Sequence, residues 1–409
     1  MKISFVSRYG SKNIGDELIV RELENILLDF TEDIDRYSFN LVNYKSLESS
    51  FDNNIKNNIV GNNNTKQSFY KKYLRKSTLI AIVRDFVNKR RAKKNVNLAI
   101  YKQKLKQSQV LIVGGGNAIF DTEKHSSSYY YFDLIIKEAI KLKIPIYVLN
   151  VGIGPFQTSR QHKNTIKVLE KANYITVRDK YSYDLLKVIN KDKRKLYKTV
   201  DPVLFLSDKK SNRVDMPKHL GITVMDLRLA DFSEVQYRGY IDSLKSLISY
   251  FIENSDYKIS VFCTELKDIN ALMDLEKQLE GYKKKKNLYF KEKTSLDDVL
   301  NVYYDIDLLI GTRMHSTIIA FSQGIPFIGI NWQQKVKGFF EMVNYEQNLL
   351  GIYDFIKNYR SAINKVNEVA TNYKFERNYI LKKKEQLSPK YEINKKILKE
   401  ILKDKTIQS

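Results

Sequence analysis

One cysteine and six prolines in a chain of 409 residues exclude a good deal. With Cys263 alone, the chain can form no internal disulfide and no multi-cysteine metal site, so a reducing compartment is expected. Cys263 ends the apolar run Lys258-Ile259-Ser260-Val261-Phe262-Cys263, and it reads as a packed small hydrophobe rather than a nucleophile. No apolar run approaches the roughly 20 residues of a spanning helix. The opening Met1-Lys2-Ile3-Ser4-Phe5-Val6-Ser7-Arg8 is too short and too soon charged for a signal peptide. A cytoplasmic protein is expected, with peripheral attachment at the inner face of the cell membrane left open. HExxH, EF-hand, GxxxxGK[ST] and GxSxG patterns are all missing, so dehydrogenase, ATPase and serine-hydrolase readings lack their evidence and no metal is expected.

Positive charge dominates what is present. Seventy Lys and Arg stand against 47 Asp and Glu, a formal net charge of +23. Nucleic acid, an anionic membrane face or a phosphorylated substrate would each suit such a balance. No named nucleic-acid motif occurs, so nucleic acid is not an expected partner. The charge is densest from Lys66 to Lys106, where Asp85 is the sole acid and Leu79-Ile80-Ala81-Ile82-Val83 is apolar. That segment reads as one or two basic amphipathic helices. They either lie on an anionic membrane or pack their apolar side on the first domain.

Strands alternate with helical periodicity through most of the chain, which implies α/β architecture with parallel sheets. Lys2 to Val6 is a buried strand, and Glu17 to Phe30 a helix. Strands follow at 110–113, 146–151 and 174–177. After a charged linker at 208–217, a second series has strands at 220–225, 259–262, 287–290, 307–310 and 326–330. The expected domains are a Rossmann-like domain at 1–208 with a basic insertion at about 66–106, a second at 218–345, and a helical extension at 346–409. Together they make a glycosyltransferase-B-like chain. Ligands of open parallel sheets bind beyond the carboxyl ends of the strands, so the loops there are where chemistry is sought.

In the first such loop, Asn13-Ile14-Gly15-Asp16, Gly15 permits close backbone approach and a helix start can hold an anion. Asp16 is either a general base or the helix N-cap. The second, Gly114-Gly115-Gly116-Asn117 with Asp121 beyond it, either offers backbone N–H groups to a ligand or is a tight turn. Asn13 and Asn117 are the polar ligand-binding candidates on these loops. The strongest is Gly311-Thr312-Arg313-Met314-His315, a strand-to-helix turn. It joins a planar guanidinium fork suited to phosphate or carboxylate with an imidazole able to donate a proton near neutral pH. Lys335 and Lys337 follow the next strand and either reach the same anion or lie on a solvated loop.

Six motifs then stand in one order: Asn13-Ile14-Gly15-Asp16, Gly114-Gly115-Gly116, Val151-Gly152-Ile153-Gly154, Val177-Arg178-Asp179 leading to Tyr181-Ser182, Asp201-Pro202, and Gly311 to His315 through Gly324-Ile325-Pro326. In that order the chain resembles the polysaccharide pyruvyl transferase family from about residue 3 to residue 340. The resemblance implies a metal-free, cofactor-free transfer of pyruvate from phosphoenolpyruvate to two hydroxyls of one sugar, as a cyclic ketal. The acceptor would belong to a surface glycan such as a capsule or exopolysaccharide, finished or lipid-linked. Carried over by position, Arg178, Arg313, His315 and Lys335 or Lys337 would hold the donor, with Gly114, Gly115 and Gly116 beside it. His315 would be the acid, Asp16 or Asp121 the base. Two rivals remain: a glycosyltransferase of the same architecture using a nucleotide sugar, and a non-enzymatic basic binder of membranes or nucleic acid.

Overall fold

The computed structural model describes residues 2–11, 13–45, 78–94, 96–189, 195–207, 216–282, 287–291 and 295–406. The Asn-rich stretch at 53–65, the start of the basic segment at 66–77 and positions 208–215 of the expected linker lie outside the described residues. Contacts divide the chain into two compact units: Met1–Ser11, Asp16–Pro202 and Pro389–Ser409 form the first, Lys12–Gly15 and Val203–Ser388 the second.

The first unit is a parallel sheet with one antiparallel edge. Its strands are β1 (Ile3–Ser7), β2 (Ile34–Ser38), β3 (Asn43–Tyr44), β4 (Val110–Gly114), β5 (Asn117–Ile119), β6 (Ile146–Ile153), β7 (Tyr174–Val177) and β8 (Leu196–Lys198). They lie in the order β3-β2-β1-β4-β6-β7-β8, with β5 paired to β6, and β3 alone runs antiparallel to its neighbour. All residues of β1, β4 and β6 are buried, as expected of strands covered on both faces. Helices α1 (Ile14–Leu28), α2 (Thr78–Lys93), α3 (Val96–Leu105), α4 (Tyr129–Lys141), α5 (Ser159–Leu169) and α6 (Lys180–Leu186) belong to this unit's series. A capping box between Thr158 and Gln161 starts α5, and Asp179 caps α6 through the Ser182 N–H.

In the second unit β9 (His219–Thr223), β10 (Lys258–Phe262), β11 (Leu288–Lys291), β12 (Leu308–Gly311), β13 (Phe327–Asn331) and β14 (Leu349–Gly351) form a parallel sheet in the order β11-β10-β9-β12-β13-β14. Counted within the unit, that is the three-two-one-four-five-six order of a dinucleotide-binding sheet. Its helices are α7 (Glu234–Asn254), α8 (Ile269–Gln278), α9 (Leu296–Asp305), α10 (Met314–Ser322), α11 (Gln334–Val343), α12 (Ile352–Lys357) and α13 (Arg360–Thr371); α14 (Tyr373–Thr406) begins in this unit and belongs to the first from Pro389 on. Capping boxes at Ser233/Gln236 and Ser295/Asp298 start α7 and α9. Cys263 packs within this unit's core, and burial pushes its thiol up to about 12, so it stays protonated and inert.

The fold is therefore two Rossmann-like units followed by a helical C-terminal region. The order of strands reverses beside β1 and β4 in one sheet and beside β9 and β12 in the other. Each reversal opens a crevice at the strand ends; the Asn13–Asp16 and Gly114–Gly116 motifs follow β1 and β4, and the Gly311–His315 motif follows β12. Among the described residues no helix is long and apolar enough to cross a membrane.

The basic segment forms helices α2 and α3, and the two behave differently. Helix α3 buries Leu98, Tyr101 and Leu105 in the first unit's core. Helix α2 presents the opposite arrangement. Ala81 is buried, Arg84 pairs with Glu123, and Asp85 accepts from Ser127 Oγ at 2.9 Å. Leu79 and Val83, 75% and 62% exposed, share the outer face with Ile82 and Phe86. Arg84 and Asp85 make protein contacts, while Leu79, Ile82, Val83 and Phe86 face outward.

Candidate functional site

In the first unit the loops after β1, β4 and β7 bring together Arg8, Asp16, Gly116, Asn117 and Arg178. Asp16 is not an N-cap: α1 begins at Ile14, which puts Asp16 within its first turn beside the buried Glu17. Two acids in this first turn complement the helix dipole. The Asp16 carboxylate takes the Ser11 hydroxyl at 3.3 Å and lies 3.5 Å from Arg8 Nε.

The three glycines follow from crowding. A Cβ on Gly114 would lie 1.9 Å from the Leu149 carbonyl, and Gly115 and Gly116 have φ of +83° and +67°. The Gly115 N–H donates to that same carbonyl at 3.0 Å, as the tight-turn alternative has it for that group. At Gly116 a Cβ would meet the Asp16 carboxylate at 2.7 Å. Gly152, to which no chemistry was assigned, makes room for Asn117 Oδ1 and for the Arg178 guanidinium. Arg178 donates from Nη1 to Asp201 at 2.7 Å, both residues buried. Asp121 lies on the segment beyond β5, where its Oδ1 accepts from Ser126 Oγ at 2.7 Å and Ser128 N–H at 3.0 Å.

In the second unit Arg313 ends the β12 turn with its Nε and Nη2 edge on Asp268, at 2.9 and 2.6 Å, and with Nη1 3.5 Å from Glu265. The fork assigned to phosphate is thus taken by a carboxylate. Burial works against the Arg313 charge, but Asp268 and Glu265 outweigh it and raise its pKa. Burial likewise raises the Glu265 carboxyl, against Arg313 and Lys267. Arg313 also stacks over Trp332, whose indole N–H donates to the Thr312 carbonyl at 2.8 Å. Asn13 is engaged at both ends of its amide: Nδ2 donates to Glu265 at 3.0 Å and Oδ1 accepts from the Gly15 N–H at 2.8 Å.

His315 is the second residue of α10, and its ring lies against Gly15. A Cβ there would come within 2.1 Å of His315 Cγ and Nδ1. The close approach Gly15 permits is therefore to the imidazole of another motif. Lys335 and Lys337 stand not on a loop but in the first turn of α11, exposed on either side of buried Val336. Lys337 lies 3.6 Å from Glu341. Asp268 and Glu265 escaped sequence reasoning, although they follow the end of β10, where strand-end placement points.

A family model described as polysaccharide pyruvyl transferase matches residues 13–334. The chain is 23% identical over 297 residues to an amylovoran biosynthesis protein, AmsJ, of Erwinia amylovora, covering 67% of this chain and 68% of that protein. Two solved structures share its fold. The UDP-GlcNAc 2-epimerase of Neisseria meningitidis has a TM-score of 0.56 at 12% identity, covering 99% of this chain and 100% of that one. Anabaena Alr3699/HepE, solved with UDP-glucose, has a TM-score of 0.53 at 10% identity with the same coverage.

Proposed function

Since the chain belongs to the polysaccharide pyruvyl transferase family, we propose that it transfers pyruvate from phosphoenolpyruvate to two hydroxyls of one sugar of a surface polysaccharide or its lipid-linked precursor. The observation that carries the reading is the β12–α10 turn, where an imidazole stands two residues from a buried guanidinium at a strand-order reversal. His315 protonates the methylene carbon of the donor, leaving an oxocarbenium-like centre. One sugar hydroxyl attacks the adjacent, phosphate-bearing carbon, phosphate leaves, and the second hydroxyl closes the ketal. Of the two hydroxyl protons released, one restores His315 and one leaves with phosphate. Asp16 or Asp121 accepts the first hydroxyl proton. Arg313 and Arg178 stabilise the charge on the departing phosphate, an effect of about 3 kcal/mol per well-placed donor.

A membrane-held acceptor suits helix α2. Its outer face continues from Leu79, Val83 and Phe86 into Arg90, which lies over the Phe86 ring at 4.7 Å, and then Lys93 and Lys94. An apolar stripe running into cations matches the acyl boundary and headgroups of an anionic bilayer.

The test of the reaction is phosphate release from phosphoenolpyruvate across a panel of glycan acceptors, with mass spectrometry of the product. His315→Ala is expected to abolish release and leave the melting transition in place. Near-normal release by that variant at saturating donor would put the acid elsewhere. Calorimetry with UDP-glucose separates the nucleotide-sugar alternative, which predicts binding of that compound and none of phosphoenolpyruvate.

A further inference from the structure

The cavity walled by α2, by the segment after β5 and by the start of α4 is the least explained feature of the first unit. It measures about 200 Å³, and Asp85, Lys89, Phe120, Asp121, Ser128 and Tyr130 are among its lining residues. We infer that it is a binding site for one sugar ring of the acceptor, an inference that rests on the transferase reading above.

Three unpaired polar atoms of its lining residues carry the argument. Asp121 is 1% exposed, and its Oδ2 has no hydrogen-bond partner among the described residues. The same holds for Ser128 Oγ and Tyr130 Oη. A buried polar atom left unpaired costs about 1–3 kcal/mol, more when charged, so three around one cavity are a persistent penalty unless something fills it. The unpaired set defines the occupant. Asp121 Oδ2 accepts only, while the Ser128 and Tyr130 hydroxyls both donate and accept. Their complement carries several hydroxyls close together, at least one donating to the carboxylate.

Charge and size narrow the choice. The charged lining residues are Asp85, Asp121 and Lys89, one net negative charge. Lys89 already pairs with Asp85 at 2.8 Å and lies over the Tyr130 ring. Such a lining repels phosphoenolpyruvate or a nucleotide and accepts a neutral sugar. The volume falls below the roughly 300–1,000 Å³ of drug-sized pockets, which suits a single ring. Phe120 and Tyr131 supply flat apolar walls against which the C–H face of a pyranose packs. One wall is α2, so a sugar held here sits beside the helix whose outer face is apolar and basic.

The experiment is saturation-transfer NMR with the methyl glycosides of glucose, galactose and mannose, run on the full chain without phosphoenolpyruvate. At least one glycoside is expected to show transfer. Tyr130→Phe and Ser128→Ala, each checked for folding by circular dichroism, are each expected to weaken its binding about tenfold while calorimetric affinity for phosphoenolpyruvate stays unchanged. Absence of transfer from all three glycosides overturns the assignment. So does transfer that survives both substitutions, or displacement of the glycoside by phosphoenolpyruvate. Because the measurement needs no turnover, failure of the pyruvyl-transfer reading shows separately, as phosphoenolpyruvate that neither binds nor releases phosphate.

Discussion

Gly15→Ala separates catalytic geometry from stability. Gly15 lies in the first turn of α1, outside the positive-φ glycines, so its backbone suits alanine. In an unobstructed helix the change would stabilise the fold by about 0.5–1 kcal/mol. Space is what opposes it. The new Cβ would stand 2.1 Å from the His315 ring where ordinary contact begins at 3.4 Å, so the imidazole must retreat by about 1.3 Å, the difference. Misplacing a reacting group by about 1 Å costs on the order of 100-fold in rate. The expected result is a 100-fold fall in kcat for phosphate release, little change in donor affinity by calorimetry, and a melting temperature within a few degrees of the parent, roughly the shift for 1 kcal/mol. The double variant with His315→Ala should be no slower than His315→Ala alone, since both act through one ring. A Gly15→Ala enzyme within about threefold of the parent, or a double variant slower than either single one, would refute the argument.

Asp268→Ala leaves the Arg313 guanidinium buried with its two-pronged partner gone. Chemical denaturation should show a loss of about 3–5 kcal/mol, and a loss under about 1 kcal/mol would mean that the pair contributes little. Glu265 adds a pH dependence. Burial holds its carboxyl above 4.5, so the folded state binds that proton more tightly than the unfolded chain does. Its contribution is full below pH 4.5 and is lost as the pH rises through the folded value. Glu265→Gln, neutral throughout, should gain on the parent in denaturation midpoints measured upward from about pH 4, and a pH-independent difference would count against this assignment. Reversing Arg90, Lys93 and Lys94 to Glu should abolish co-sedimentation with anionic vesicles and leave the fold intact, whereas equal binding of the parent to neutral and anionic vesicles would remove the membrane reading.

The fold was legible where burial is complete. Strands β1, β4, β7, β10 and β13 lie within a residue or two of their apolar runs, because a parallel strand covered on both faces has little room for polar side chains. Strand β2, Ile34-Asp35-Arg36-Tyr37-Ser38, was missed because Asp35 and Arg36 are only half-buried and break the run. Strands β8 and β14 are three residues each, too short to show a period. Helix α2 was read correctly as basic and amphipathic, but its orientation depends on Ser127 and Glu123, some 40 residues ahead, and no window on the helix contains them.

For the candidate site, the sequence located motifs and left their partners hidden. Asp268 lies 45 residues from Arg313, and Asp201 lies 23 from Arg178. Finding those partners changes the electrostatic argument. The excess of cations suggested a substrate rich in negative charge, yet Arg8, Arg178 and Arg313 each have an acid within reach: Asp16, Asp201 and Asp268. Such pairs hold guanidinium groups in fixed orientations at low net charge, which is how a buried cation is kept charged without being repelled by its neighbours. The net +23 must then reside mainly on other side chains, among them the exposed Arg90, Arg91, Lys93 and Lys94 of α2 and the segment after it. The place of His315, in turn, is set by a missing Cβ on Gly15.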